Sequence, residues 1–569
     1  MARNRTKQLR NAKHPISTVD NNMGWLTANW TKYKLRINTY TDCMNIILSQ
    51  KWGFKRRRTA TQLWVEPDSN LDRVYGIWYQ KDFWWIRVKW DRVQTLATPS
   101  STWTTIVSWY TITWNNFVDF IEFKATATSG STTNTISEES AERYLKVNTL
   151  MTANEHIWKL LKIWSEYKLI IWNTTTIIYI QERFEWTYAA STTVTITDQV
   201  NAVYIISPGK DVKIWRGWAT LETLWFSFDR AVLQSHGWLR NNGRLFWIKN
   251  DSKVYVSEVG TWEFFQKDSF MPVNIPGNLI WISEVSGRIV VYADFWRLSI
   301  VWDNPDNFQV IPTKSTKWTL SAGSIASWNN VEYYLSHEGI EFLQSVEWST
   351  VTEWISLSDN IKEKFKQHTD FSWSHGTVSN GKYFLNIQWL VYIYDLENSV
   401  KFHKPIFTLA EYDECSQEVV SNAVAWEWTC SMDVSWQLVF WQGWLTYRIT
   451  DEKIWPEDTQ SKLKYMIEFP IQDMWDLRLT KAIQRYWLHL QNDKSLVNAR
   501  TDIKIYFSKN EEAYTLARQV ENIFDIEVFF SEKVWSYSIK IEIEDLDNEI
   551  DTQIEFLYSE LQFYFLNKR

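Results

Sequence analysis

Glycine is scarce in this sequence. There are 16 glycines among 569 residues, where average usage of about 7% would supply roughly 40. Tight turns of the primed types need positive φ, which glycine supplies without steric cost. A hairpin-rich chain this poor in glycine has to turn its corners some other way. Cysteine is scarcer still. Cys43, Cys415 and Cys430 have no metal-ligand or disulfide spacing. Cys415 and Cys430 can pair in principle, but free thiols in a reducing compartment fit them better. No run is apolar enough for a transmembrane helix, since even "IIWNTTTIIYI" is interrupted by Asn and Thr. The basic, polar N-terminus "MARNRTKQLRNAKHPIST" lacks the apolar centre of a secretory signal. A soluble protein, made and used without export by a signal peptide, is expected. Basic residues are outnumbered, 60 Lys plus Arg against 67 Asp plus Glu for a net charge of -7, which argues against a general nucleic-acid-binding surface.

Catalytic signatures are missing as well. No G-x-S-x-G, P-loop or H-E-x-x-H occurs, so no catalytic residue, cofactor or metal set is assigned and no enzymatic activity is expected. His337, His368 and His375 are the densest of eight scattered histidines and read as surface or packed residues. Asp303 and Asp306 flank Pro305 in "VWDNPDNF", a turn favoured for backbone reasons rather than a calcium loop. Carboxylate pairs for glycoside hydrolysis are set in space, and spacing along the chain does not expose them.

What the chain has in excess is tryptophan, 39 residues. In "SIASWNNVEYYLSHEGIEFLQSVEWSTV" (324–351), Val331, Tyr333 and Leu335 alternate with polar neighbours, and so do Ile340 and Phe342. The pattern is that of strands with one buried face. "HEGI" places Gly339 in its turn, whereas "SWNN" and "VEWST" carry Trp328 and Trp348 at corners. The same setting recurs in "ITWNN", "KIWSE", "IIWNT", "DVSWQL" and "EKVWSY", and "DFWWIRV", "AWEW" and "FWQGW" look like glycine turns overwritten. The glycine deficit and the tryptophan excess therefore match. UGA codons read as glycine by the organism but translated as tryptophan would produce this pattern; the alternative is a truly tryptophan-rich protein, such as a carbohydrate binder with exposed stacking residues.

Short β-runs dominate from about residue 70 to 455. They fall into seven sets: "RVYGIWY" onward, "LLKIW" onward, "GRLFWIKN" onward, "NLIWISEV" onward, "SAGSIAS" onward, "SHGTVSN" onward and "VSNAVAW" onward. Most span roughly 30 to 45 residues, the size of propeller blades, each a small antiparallel sheet that cannot bury its faces alone. Residues 112–150 and 185–216 read as β insertions. "WISLSDNIKEKFKQH" (354–368) is the one expected helix, with Leu357, Ile361 and Phe365 on one face and Ser358 or Asp359 as cap. From 467 to 569 longer alternating strands with acidic loops predict a C-terminal β-sandwich. Residues 1–40, rich in Lys, Arg, Asn and Thr, read as an arm that is disordered or ordered only against a partner. The expectation is an all-β chain with a propeller-like body over 41–455.

Lys55, Arg56, Arg57 and Arg58 form the densest charge in the chain. They are candidate docking residues for an acidic partner or DNA, against the alternative of a solvated loop.

The stretch "NNMGWLTANWTKYKLRINTYTDCMNIILSQKWGFKRRRTATQL" resembles the opening of bacteriophage virion proteins of the tail-nozzle and head-to-tail stabilisation type. Asn38, Asn45, Gly53 and Arg56 to Arg58 fill the family's places, while Thr59 and Ala60 stand where it often has Pro-Gly. "RLFWIKNDSKVYVSEVG", "RLSIVWDNPDNFQ", "YYLSHEGIEFLQ" and "KYFLNIQWLVYIYDLENSV" look like its blades. The likeness covers about residues 20–455. It implies a virion protein, made in the host cytoplasm, that forms a ring, commonly a hexamer, below the portal. Its partners would be portal, adaptor or other tail proteins, with DNA guided through without sequence reading. The alternative from another class is a propeller that binds or cleaves host glycans.

Overall fold

The computed structural model describes residues 16–20, 42–44, 46–48, 54–56, 59–62, most of 74–108, 118–123, most of 131–410, most of 428–450, 464–469, 481–492, most of 501–545 and 554–565. The chain forms two compact units. One comprises Met1–Val65, Glu338–Glu341 and Ile355–Arg569, and the other Glu66–His337 and Phe342–Trp354.

The second unit is built from four-stranded antiparallel sheets, taken here as blades I to V. Blade I is Val74–Gln80, Trp84–Lys89, Arg92–Leu96 and Thr104–Ser108. Blade II is Asp119–Phe123, Ala202–Ile206, Asp211–Trp215 and Glu222–Ser227. Blade III starts at Arg230–Leu233 and ends at Phe270–Pro272; blade IV runs from Leu279–Val285 to Phe308–Pro312, and blade V from Ala326–Trp328 to Thr350–Glu353. The middle strands are near-continuous apolar runs, "AVYII", "LFWIK" and "RIVVYA", rather than alternations, and nearly every residue in them is buried. Strand period decides which neighbour each residue meets. Val203 and Ile205 pack with Tyr75, Ile86 and Val88 of blade I. Tyr204 and Ile206, one step along, pack with Leu245 and Trp247 of blade III. Phe246 and Ile248 face Ile282 and Val291 of blade IV, while Val290 and Tyr292 face Tyr334 and Leu343 of blade V. A strand with a sheet on each side has no polar face to spare. Each fully buried Ile, Val or Phe contributes roughly 1.5–3 kcal/mol, so stability lies between blades rather than within them. The body is a β-propeller.

Blade II carries an insertion. Phe123 and Ala202 are register partners, and residues between them form a separate six-stranded sheet ordered Thr132–Thr135, Thr193–Thr197, Leu160–Ile163, Glu166–Asn173, Ile177–Ile180 and Tyr144–Lys146. Ile136, Leu145, Leu161, Ile170, Ile178, Val194 and Ile196 give it a core of its own. The run "LLKIW", "YKLIIW" and "TIIYIQ", expected to be a blade, belongs to this sheet. The rhythm is the same because a half-buried antiparallel hairpin has the same period wherever it packs.

In the first unit, blade VI is His375–Ser379, Lys382–Ile387, Leu390–Asp395 and Phe407–Ala410. Blade VII takes Trp428–Val434, Gln437–Gln442 and Leu445–Thr450 and borrows its fourth strand, Thr59–Gln62, which pairs from Thr450↔Thr59 to Tyr447↔Gln62. The C-terminal β-sandwich has two sheets. One is ordered Asp42–Met44, Lys464–Glu468, Tyr537–Asp545, Thr501–Lys509, Thr515–Glu521. The other runs Ile46–Leu48, Phe54–Arg56, Ile554–Phe565, Lys481–Asn492, Asp525–Phe529, with Ile16–Asp20 also on Ile554–Phe565. Its strands alternate as expected. Ile503, Ile505, Ile541 and Ile543 are buried, while Lys504 and Lys540 between them pair with Asp502 at 3.1 Å and Glu542 at 2.5 Å. Within the stretch read as an arm, Ile16–Asp20 is a strand, in register from Ile16↔Phe563 to Asp20↔Ser559.

The expected helix shrinks to one turn, Lys362–Phe365, after a 3-10 turn Asp359–Ile361, with Ile361 and Phe365 buried. Ser358 does not cap it. Its hydroxyl accepts the backbone N–H of Ile340 at 2.7 Å, and a Cβ on Gly339 (φ 123°) would sit 2.0 Å from that oxygen. Gly339 is thus required both by its turn and by close packing. A second helix, Leu396–Phe402, was not legible in the sequence; Asp395 receives the N–H of Asn398 at 3.0 Å at its start.

Candidate functional site

The inner strands of blades I to IV and the first hairpin of blade V surround a cavity of about 430 Å³. Trp78 comes from blade I, Asp119 to Glu122 from blade II, Ala231 and Val232 from blade III, Trp281 to Glu284 from blade IV, and Ser327 and Glu332 from blade V. Asp119, Glu122, Glu284 and Glu332 all lie at the lining, four carboxyls from three blades whose outermost positions are more than 200 residues apart in sequence.

Burial pushes the Asp119 carboxyl up to about 6, against the pull of Arg230 and the backbone N–H groups of Phe120 and Ala231. Glu332 is fully buried, and desolvation raises its carboxyl despite Ser283, Tyr292 and Arg297. The Tyr292 hydroxyl donates to Glu332 Oε1, and Arg297 Nη1 donates to the Tyr334 hydroxyl at 2.6 Å. Gln80 Nε2 reaches Glu122 Oε1 at 3.4 Å. A carboxyl whose pKa is raised keeps its proton to higher pH than usual and can then donate a hydrogen bond or a proton, which is the property of a general acid or of a polyol-binding group.

A second polar network in the same unit is closed on itself. Arg216 donates through Nη2 to Glu263 at 2.6 Å and through Nε to Glu222 at 3.1 Å, and Tyr204 donates to Glu263 at 2.7 Å. Burial raises Glu222 in spite of Arg216. These donors and acceptors are spent on one another, so the network holds blades II and III together and faces no cavity among those described.

Of the histidines singled out earlier, His368 and His375 are packed into the fold and His337 is exposed. His368 lies between Gln388 Oε1 at 3.0 Å and the Tyr392 hydroxyl at 2.8 Å, and burial lowers its pKa. Burial takes His375 down to about 4. His337 stacks on Trp318 with centroids 4.7 Å apart. Among the described residues no group of three or more His, Cys, Asp or Glu is arranged to hold a metal ion. Asp303, Asp306 and Cys415 lie outside the described residues; Cys43 is buried. Of the basic cluster, Lys55 and Arg56 are on the strand Phe54–Arg56, not in a loop. Lys55 pairs with Ile47 on one side and Glu555 on the other. Arg57 and Arg58 lie outside the described residues. No spacing rule reveals the four cavity carboxyls, since their meeting depends on how successive blades are arranged.

No family model and no curated protein matches the chain. Similar solved structures include BamB from Moraxella catarrhalis, 8% identical over 70% of this chain and 98% of that one, with a TM-score of 0.31. The WD40 β-propeller domain of Doa1 is 11% identical over 70% of this chain and 97% of that one, with a TM-score of 0.26. A family 43 arabinoxylan arabinofuranohydrolase from Bacillus subtilis is 10% identical over 64% and 88%, with a TM-score of 0.19. Likeness at this level reaches no further than the fold.

Proposed function

We propose that the chain is a structural component of a phage virion, a ring-forming propeller of the tail or head-tail connector that stabilises the portal vertex and guides DNA in transit. The observation that supports this reading is how the N-terminal 62 residues are used. They supply strands to both sheets of the C-terminal sandwich and to blade VII, and Ile16–Asp20 is hydrogen-bonded to Ile554–Phe565. Pairing between residues as far apart in sequence as Ile16 and Phe563 ties this segment into the C-terminal sheets, which suits a structural part. The resemblance of the opening segment and blades to tail-nozzle and stabilisation proteins points the same way. Negative-stain images of the purified full-length chain, alone and mixed with portal, test it: rings, sixfold by the resemblance, are expected. A chain that stays monomeric at high concentration and fails to bind portal would overturn it.

The acidic cavity favours a second reading, a propeller that binds or cleaves glycans, because a raised carboxyl beside others is the equipment of glycoside hydrolysis. Release of sugar from host polysaccharide, abolished by Asp119→Asn or Glu332→Gln with the fold intact, would favour it over the ring.

A further inference from the structure

Strand registers bracket eight two-residue hairpin loops among the described pairs. Three of them read Ser286-Gly287, Asn329-Asn330 and Asn380-Gly381. Their φ values are positive at Gly287 (80°), Asn329 (48°), Asn330 (61°), Asn380 (49°) and Gly381 (66°), in keeping with the residue types that primed turns select. Trp328, at a corner in the sequence, is the last paired residue of its strand, and Asn329-Asn330 makes the turn. The other five loops each contain a tryptophan. The pairs Lys89↔Arg92, Ile163↔Glu166, Ile387↔Leu390, Val434↔Gln437 and Gln442↔Leu445 leave Trp90-Asp91, Trp164-Ser165, Gln388-Trp389, Ser435-Trp436 and Gly443-Trp444. Trp164 has φ 53° and is 70% exposed, so a bulky indole occupies the left-handed region with only an edge-on contact to the Tyr188 ring at 5.2 Å to compensate it. Gln388, before Trp389, has φ 55°, the sign both primed turn types have at their first central residue.

Write glycine for tryptophan and the five loops become Gly-Asp, Gly-Ser, Gln-Gly, Ser-Gly and Gly-Gly. Three of the five, Gly-Asp, Gly-Ser and Gly-Gly, are dipeptides that two-residue hairpin turns favour, and each of the five gains a glycine. We infer that Trp90, Trp164, Trp389, Trp436 and Trp444 are glycines in the protein as its own organism makes it, specified by UGA, whereas Trp262 is a true tryptophan. Trp262 is 2% exposed and meets the Phe123 ring edge-on at 4.8 Å, a core position that glycine would leave empty. The inference bears on function. Exposed tryptophans are what would recommend a glycan-stacking surface, and Trp164, which is exposed, is removed by it.

The test is peptide mass measurement on the protein from its natural source, covering the five loops and Trp262, with the codons read alongside. Glycine at the five positions with tryptophan at 262 is expected. Tryptophan at the loops, or glycine at 262, overturns the assignment. A recombinant pair gives a second readout. Trp164→Gly should raise the folded-to-unfolded ratio of the insertion about tenfold by relieving a left-handed non-glycine residue. An unchanged or lowered ratio would count against the assignment.

Discussion

The insertion in blade II and the N-terminal segment are both additions to a propeller, and they are held in opposite ways. The insertion has its own core, built from strands within 65 residues of one another, from Thr132–Thr135 to Thr193–Thr197. The N-terminal strands pair instead with partners some 400 to 550 residues away, such as Asp42↔Glu468 and Ile16↔Phe563. One addition is a local fold that a blade tolerates, because Phe123 and Ala202 are paired whatever lies between them. The other is structural mortar. Its removal leaves long strand edges unpaired, which expose backbone groups and invite aggregation.

Deletion sharpens this contrast most. Replacing residues 131–198 by a short Gly-Ser linker should leave a folded body, read from the far-UV spectrum and a cooperative melt. Deleting residues 1–62 should abolish cooperative folding of the first unit, since the lost pairing is large against a net stability of roughly 5–15 kcal/mol. A folded, monodisperse product of the second deletion would break the comparison. Next in size are Leu161→Ala and Ile178→Ala. Each side chain is fully buried in the insertion and each truncation should cost about 2–5 kcal/mol. Hydrogen exchange should show the loss confined to 131–198, and its spread through blade II would mean the insertion is not autonomous.

Acid should separate the two units by a smaller amount and with opposite signs. His375, in the first unit, has a folded pKa of about 4 against an ordinary 6.5. The unfolded chain binds the proton more readily, so stability is full above 6.5 and falls as pH drops toward 4. Asp119, in the second unit, is raised from 3.8 to about 6. There the folded state holds the proton, so its contribution is present below 3.8 and lost as pH rises to about 6. One group changes the slope by at most about 1.4 kcal/mol per pH unit. His375→Gln should flatten the acid loss in the first unit, and Asp119→Asn the opposite slope in the second, both measured by denaturant titration with segment-resolved exchange. The smallest effect on stability is expected from Arg56, Arg57 and Arg58 changed together to Ser. Assembly should slow, and slow less at high salt, because rim charges act mainly on association rate. The melting temperature should hardly move. A normal assembly rate at low salt would leave the cluster as a solvated surface.

Part of this was legible in the chain itself. Periodicity named the strands, and Gly339 and the alternation of Ile503, Ile505 and Phe507 fell where their φ or burial required, because turns and strand faces are local properties. Composition alone exposed the tryptophan-for-glycine pattern, though only register could say that Trp164 stands in a turn and Trp328 does not. Tertiary structure decided the rest. The insertion and the blades share one period, so nothing in "LLKIW" and "YKLIIW" says that they pack on themselves. Ile16–Asp20 reads as a polar arm because its partner, Ile554–Phe565, lies at the other end of the sequence. Asp119, Glu122, Glu284 and Glu332 meet around one cavity only because blades II and IV turn their first strands, and blade V its first hairpin, toward a common space.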